Sequence, residues 1–239
     1  MDYSNLTPRS LTPDEQLAAS QAFPVLMRKV YLWMTLALAI TGLTAYTVAT
    51  SPAILQAIYS NQLLFWGLLI AELVLVFRVS SAINRISLTA ATVAFVLYSL
   101  INGALLSYVF IVYTAASVAT VFFITAATFA AMAVIGYTTS ADLTSIGRLA
   151  VIALIGLIIA TIVNIFLKST AFTLILSYLG VLVFLGLTAY DSQKIKQMLL
   201  QATDAGEAAQ KIALLGALSL YLDFINLFLY LLRILNPRD

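Results

Sequence analysis

The chain of 239 residues contains no cysteine and no histidine. Their absence removes disulfides, thiolate or imidazole metal sites, haem ligation through His, and Ser–His or Cys–His nucleophilic chemistry. It also removes the side chain that ordinarily titrates near neutrality, so proton sensing falls to carboxylates in unusual surroundings. Charge is scarce too. Charged residues make up 9% of the chain, where a soluble domain carries about 25%. The net charge of +2 is scattered, with no basic stripe of the kind that binds nucleic acid. Glycine and proline are few, which with the long apolar runs favours helices over the alternating strands of an outer-membrane barrel. The residues before Ala22 hold no apolar core, so no cleavable signal peptide is expected and the first span should direct insertion. No cofactor is expected.

Apolar residues fill 62% of the positions and the mean hydropathy is +1.03. So little charge cannot cover a globule of this size, and most of the exposed surface must face lipid. The expected fold is an all-α integral membrane protein. A span needs about 20 apolar residues, and seven candidates can be read. The first runs from Val25 to Thr50 and is broken by Ser51-Pro52; the second runs from Gln62 to Val79. No charge occurs between Arg85 and Asp142, a stretch that fits two spans with a break at Tyr113–Ser117. The fifth runs from Leu149 to Leu167, the sixth from Ala171 to at least Tyr190, and the last from Ile212 to Leu235. The chain then divides into a polar cytoplasmic N-terminal tail (1–24), a membrane domain (25–235) and a short C-terminal tail (236–239).

Orientation follows from the distribution of basic residues. With the N-terminus in the cytoplasm, Arg9, Arg28, Lys29, Arg78, Arg85, Arg148, Lys194, Lys196 and Lys211 lie inside, and Lys168, Arg233 and Arg238 outside. Nine against three places the N-terminus in the cytoplasm and the C-terminus outside. A last stretch that re-entered rather than crossed would give six spans without weakening the bias.

Three carboxylates lie in or beside apolar segments: Glu72, Asp191 and Asp223. An acid at a helix centre costs roughly 2.5–3.5 kcal/mol on insertion scales, so it persists only where it faces protein or water. In the last span Gly216, Ser219, Asp223, Asn226, Tyr230 and Arg233 recur at spacings of 3, 4, 3, 4 and 3, which puts them on one helix face. That stripe reads either as a path for water or ions, or as the packing face of a helix enclosed by others. Asp204-Ala205-Gly206-Glu207 is the turn between the last two spans. Asp191 precedes it and Asp223 follows it at similar distances, so an antiparallel hairpin can bring the two carboxylates together. Two acids in contact cannot easily both ionise; sharing one proton they latch the helices, and fully ionised they repel. They also form a hard-oxygen site for Ca²⁺, too small for a tight cage and suited to transient passage. Arg78 and Arg85 follow Glu72 at offsets of 6 and 13, on other faces of the helix, so a charged partner for Glu72 must come from another helix. Asn102-Gly103 and Asn164 read as packing glue.

Two stretches carry a family resemblance. One is ITAATFAAMAVIGYTTSADLTSIG (Ile124–Gly147) with its continuation IGLIIATIVNIFL. The other is LTAYDSQKIK (Leu187–Lys196), followed by ALSLYLDFINLFLYLLRIL (Ala217–Leu235). The sequence resembles the Bax inhibitor family, the transmembrane Bax-inhibitor-motif proteins, over nearly the whole chain beyond the N-terminal tail. The resemblance implies six helices around a central C-terminal helix. It also implies a pH-sensitive calcium leak gated by two aspartates, which by motif are Asp191 and Asp223. Glu72 falls where the family has an acid in its second span. The family arginine that meets the aspartates corresponds to either Arg78 or Arg85. Ser219, Asn226 and Tyr230 complete the supporting polar set. A proline common in the family near the turn between spans three and four is missing here. Eukaryotic relatives restrain cell death from the endoplasmic reticulum, whereas this chain's short tail looks bacterial, which implies the inner membrane. Bacterial relatives are also linked to a membrane-bound quality-control protease.

The expected function is therefore a proton-gated cation leak, chiefly for Ca²⁺, working with the bilayer, calcium ions and protons, and not an enzyme. The alternative is an interaction protein that modulates a membrane protease or stress response without transport of its own. An aspartyl protease dyad is the third reading. It is disfavoured because Tyr221-Leu222 precedes Asp223 where such enzymes carry Gly-x-Gly.

Overall fold

The computed structural model describes residues 12–83 and 85–236. Expectations placed on Arg9, on Arg238 and on most of the C-terminal tail lie outside these residues. Nine helices and no strand are present among them: α1 (Pro13–Thr50), α2 (Pro52–Ser60), α3 (Gln62–Ala82), α4 (Leu88–Leu106), α5 (Tyr108–Val112), α6 (Ala115–Thr138), α7 (Thr144–Leu167), α8 (Thr170–Leu200) and α9 (Glu207–Leu235). Seven segments are long and apolar enough to cross a membrane, with α4 and α5 sharing the third. The protein is an all-helical integral membrane protein.

The helix boundaries follow local chemistry. α1 starts at a capping box: the Thr12 hydroxyl accepts from the Glu15 amide while the Glu15 carboxylate accepts from the Thr12 amide, and Pro13 fills the first helical position. The helix thus begins within the polar tail, well before the apolar run at Val25. It ends at Ser51, whose extended backbone is what a following proline imposes. Pro52 then opens α2, a short helix that hydropathy alone does not reveal. Asn61 caps α3 through the Leu63 and Leu64 amides, and Ser87 and Thr114 cap α4 and α6. Tyr113–Thr114 is the break between spans three and four, as expected. α7 closes on Lys168 in the left-handed region (φ 51°), its amide bonded to the Asn164 carbonyl. α9 is one uninterrupted helix of 29 residues. At about 1.5 Å per residue it is long enough to cross a hydrocarbon core of about 30 Å. That resolves the choice between six spans and seven in favour of seven.

The described residues form two compact units. The first comprises 12–108 and 195–218, and the second 109–194 and 219–236. In the first unit α1 packs on α4 and α4 on α3. Gly103 makes the α1–α4 approach possible, because a Cβ there would meet the Thr41 carbonyl and the Thr44 side chain. The Thr41 hydroxyl donates to the Ser99 carbonyl at 3.0 Å across the same contact. α2 is tied to the end of α4 by Tyr59, whose hydroxyl donates to the Leu105 carbonyl. Small residues and interhelical hydrogen bonds are the expected adhesives where lipid removes any hydrophobic drive between helices.

In the second unit α7 shows the opposite side of that rule. Leu149, Ile152, Ile159 and Phe166 are exposed, as suits side chains whose solvent is hydrocarbon. α9 differs from every other span: in its most apolar 18 residues 67% are buried, while no other span exceeds 33%.

Candidate functional site

The site grows from the hairpin formed by α8 and α9. Its turn is closed by Asp204, whose carboxylate accepts from the Gly206 amide at 2.9 Å, and α9 starts immediately afterwards at Glu207. The turn falls where the cluster Asp204–Glu207 predicted it.

α8 presents two opposite faces. Gly180, Phe184, Asp191 and Ile195 share one, since their spacings return to the same side of a helix. This face meets the polar stripe of α9. Near the turn, a Cβ on Gly216 would lie 3.0 Å from the Ile195 side chain. Towards the other end, the Tyr230 ring covers Gly180 and stacks on Phe184 with centroids 5.9 Å apart. Asp191 and Asp223 fall between these two contacts and lie within electrostatic reach of each other.

The opposite face of α8 carries Gly186, Ala189, Tyr190 and Gln193, and it is held by α6, α7 and the turn between them. Gly136 of α6 packs directly against the Ala189 backbone, and Gly147 of α7 lies under the Tyr190 ring. Gln193 bridges the turn with both ends of its amide. Its Oε1 accepts from the Leu143 amide at 2.9 Å, and its Nε2 donates to the Ala141 carbonyl at 2.7 Å. The AYDSQ motif is thus split by helical geometry, with Asp191 towards α9 and its neighbours towards α6 and α7.

The polar stripe on α9 is not uniform. Gly216 serves packing, and Asn226 is satisfied within its own helix by donating to the Leu222 carbonyl at 2.8 Å. Tyr230 is engaged with Phe184, and Arg233 is exposed with its guanidinium 5.7 Å from the Tyr230 ring. Ser219 is half-buried. Asp223 stands apart: it is 5% exposed, and its Oδ2 has no hydrogen-bond partner among the described residues. The buried Ser192 hydroxyl shares that condition. Beside the stripe α9 is sealed to α6 by rings, Phe224 against Phe122 and Phe129 at 5.4 and 5.5 Å, and Phe228 against Phe122 at 6.5 Å.

Glu72 finds its partner on another helix, as its spacing required, but the partner is neutral. In the first unit its carboxylate accepts from the Asn102 amide of α4. Arg78 and Arg85 are both exposed and make no ion pair among the described residues. Asn164 organises the α7–α8 turn, donating to Thr173 and accepting from the Ser169 amide.

Two residues near the pair escaped the sequence reading. Lys194 lies within electrostatic reach of Asp191, with its Nζ 5.7 Å from the Tyr190 ring centroid. The spacing of three from Asp191 was the available signal. Gln193 had none, because its partners are backbone atoms of a turn fifty residues away. Among the described residues no group of three or more His, Cys, Asp or Glu could hold a metal ion.

Comparison with known proteins gives consistent matches. A family profile described as inhibitor of apoptosis-promoting Bax1 matches residues 24–239. The inner membrane protein YbhL of Escherichia coli strain K12 is 46% identical over 232 residues, covering 97% of this chain and 98% of that protein. An uncharacterised protein of Borreliella burgdorferi is 43% identical over 212 residues, 89% of this chain and 91% of its own. One from Rickettsia prowazekii is 43% identical over 216 residues, 89% and 90% respectively.

Proposed function

The chain belongs to the Bax inhibitor family, and from that premise and its facing aspartates we propose that it is a pH-sensitive cation leak, chiefly for calcium, gated by Asp191 and Asp223. It acts in a bacterial inner membrane, the location named for the Escherichia coli relative. The observation that carries this reading is the buried Asp223, with an oxygen unmatched by any described group and the Asp191 carboxylate close by. An unmatched buried carboxylate oxygen is costly, so it invites a proton or a cation.

Sharing one proton, the pair makes a charge-assisted hydrogen bond that draws α8 and α9 together. Losing it leaves two negative charges that repel across the hairpin. α8 is held from behind by α6, α7 and their turn, so the repulsion falls on the α8–α9 contact. A calcium ion replaces the proton on the same oxygens, which are the hard ligands it takes, and two acids are few enough for it to leave. Lys194 beside Asp191 supplies a counter-charge that limits how strongly the ionised pair repels.

The test is calcium flux against pH in reconstituted vesicles, wild type beside Asp191→Asn and Asp223→Asn. In wild type flux rises as the shared proton is lost. Either amide keeps a hydrogen bond to the remaining acid without a second charge, so both variants show low flux with a flattened pH response. Flux indistinguishable from wild type in both variants would overturn the proposal and leave the reading as an interaction protein, to be tested by co-purification after deletion of the residues before Ala22.

A further inference from the structure

The back of α8 has a feature that the carboxylate pair does not use. Gln193 is 7% exposed, sits two residues from Asp191, and spends both ends of its amide on one turn. Leu143, which receives one of these bonds, is itself buried and stands at the start of α7 without a side-chain cap. A carboxamide alone among side chains of this length offers a donor and an acceptor together, so it can close on a C=O and an N–H two residues apart. Along with Gly136 on Ala189 and Gly147 under Tyr190, this fastens α8 at three points on the face opposite Asp191.

The geometry points to Gln193 as the positioning residue of the gate: by clasping Ala141 and Leu143 it ties the α6–α7 turn to α8 and holds Asp191 in register with α9. This inference rests on the carboxylate-pair reading above and names the part of the molecule that sets the pair. The turn becomes a handle on the gate, since displacing it frees the face of α8 opposite α9. The ionisable groups nearest the clasp along the chain are Asp142 in the turn, Arg148 in the first turns of α7, and Asp191, Lys194 and Lys196 on α8.

The test uses the full-length protein in lipid vesicles with three readouts. Hydrogen exchange at the Leu143 amide reports the clasp, and Gln193→Ala accelerates it by about tenfold, as losing a buried hydrogen bond does. Register is read by disulfide formation in Ile195→Cys/Gly216→Cys, a pair in contact between α8 and α9 in a chain with no other cysteine. Adding Gln193→Ala slows that cross-link several-fold. The third readout, the pH of half-maximal calcium flux, shifts by about half a unit. Gly186→Ala on the same face, where a Cβ meets only ordinary contacts at 3.6 and 3.8 Å, leaves all three unchanged. If Gln193→Ala does not insert, Gln193→Glu takes its place, keeping the acceptor for Leu143 and losing the donor for Ala141, with smaller changes of the same sign. Faster exchange with an unaltered cross-link and pH profile makes Gln193 simple glue and overturns the inference. Unaltered exchange overturns it as well. A slowed cross-link in a protein whose wild type carries no calcium sustains the positioning role and removes the leak.

Discussion

Asp142 stands in the turn between α6 and α7, where its carboxylate accepts from the Thr144 amide at 2.9 Å. Hydrogen bonds from the Thr144 side chain and backbone hold its carboxyl below the ordinary aspartate value. A group whose pKa is depressed by folding contributes above its unfolded pKa and loses that contribution as pH falls through the folded one. The Thr144 amide is therefore expected to lose protection as pH drops below about 4. Hydrogen exchange, corrected for its intrinsic pH dependence, measures this. Asp142→Ala should be unprotected throughout, whereas Asp142→Asn keeps an acceptor and should show no such transition. The carboxylates of the hairpin obey different physics, since the Asp223 Oδ2 is buried with no hydrogen-bond partner among the described residues. Asp223 was legible in the sequence as an acid in an apolar run, because the cost of placing it there demands a reason. Gln193 was not, because an amide that bonds to backbone leaves no matching side chain to find.

Helix contacts in the second unit depend on glycines, and their demands differ by position. A Cβ at Gly136 falls on the Ala189 backbone, where nothing flexible can give way, while one at Gly156 meets nothing within 4 Å. Gly136→Ala should thus force α6 from α8 and destabilise the fold by about 1–3 kcal/mol, the usual scale of overpacking. Gly156→Ala should be neutral or raise stability by up to about 1 kcal/mol, since glycine is the poorer helix former. Thermal unfolding in detergent micelles distinguishes them, and equal midpoints would show that close approach of α6 to α8 at Gly136 does not limit stability. Both glycines lie in similar apolar runs, so composition could not tell them apart. The α8–α9 hairpin was more accessible, because the Asp204–Glu207 turn and the stripe from Gly216 to Arg233 together set its register. What the period could not convey was each residue's partner. Asn226 turns back to its own helix and Tyr230 stacks on Phe184, so within the stripe it is Asp223 that keeps a buried oxygen unmatched among the described residues.

At the scale of the whole molecule, span count was readable because lipid imposes length and apolarity on every crossing segment, and α2 was missed because a short helix between spans answers to neither demand. Seven spans put the two termini on opposite sides of the membrane, and the positive-inside bias of the basic residues predicts a cytoplasmic N-terminus. Arg85 lies in the α3–α4 connection, Arg148 at the start of α7, and Lys194, Lys196 and Lys211 flank the α8–α9 turn, so these five gather at connections that alternation assigns to one side. The connections assigned to the other side, Ser51–Asn61, Tyr113–Thr114 and Lys168–Ser169, contain Lys168 as their only basic residue. A C-terminal alkaline phosphatase fusion, which is active only after export, should therefore be active, and a fusion placed in the Gln201–Gly206 turn should not. Adding lysines to the Ser51–Asn61 connection works against the bias and should lower the C-terminal signal. An active fusion in the Gln201–Gly206 turn would invert the assignment, placing the clasp of Gln193 and the Asp191 end of the hairpin towards the exterior and reversing which compartment's pH the aspartate pair meets first.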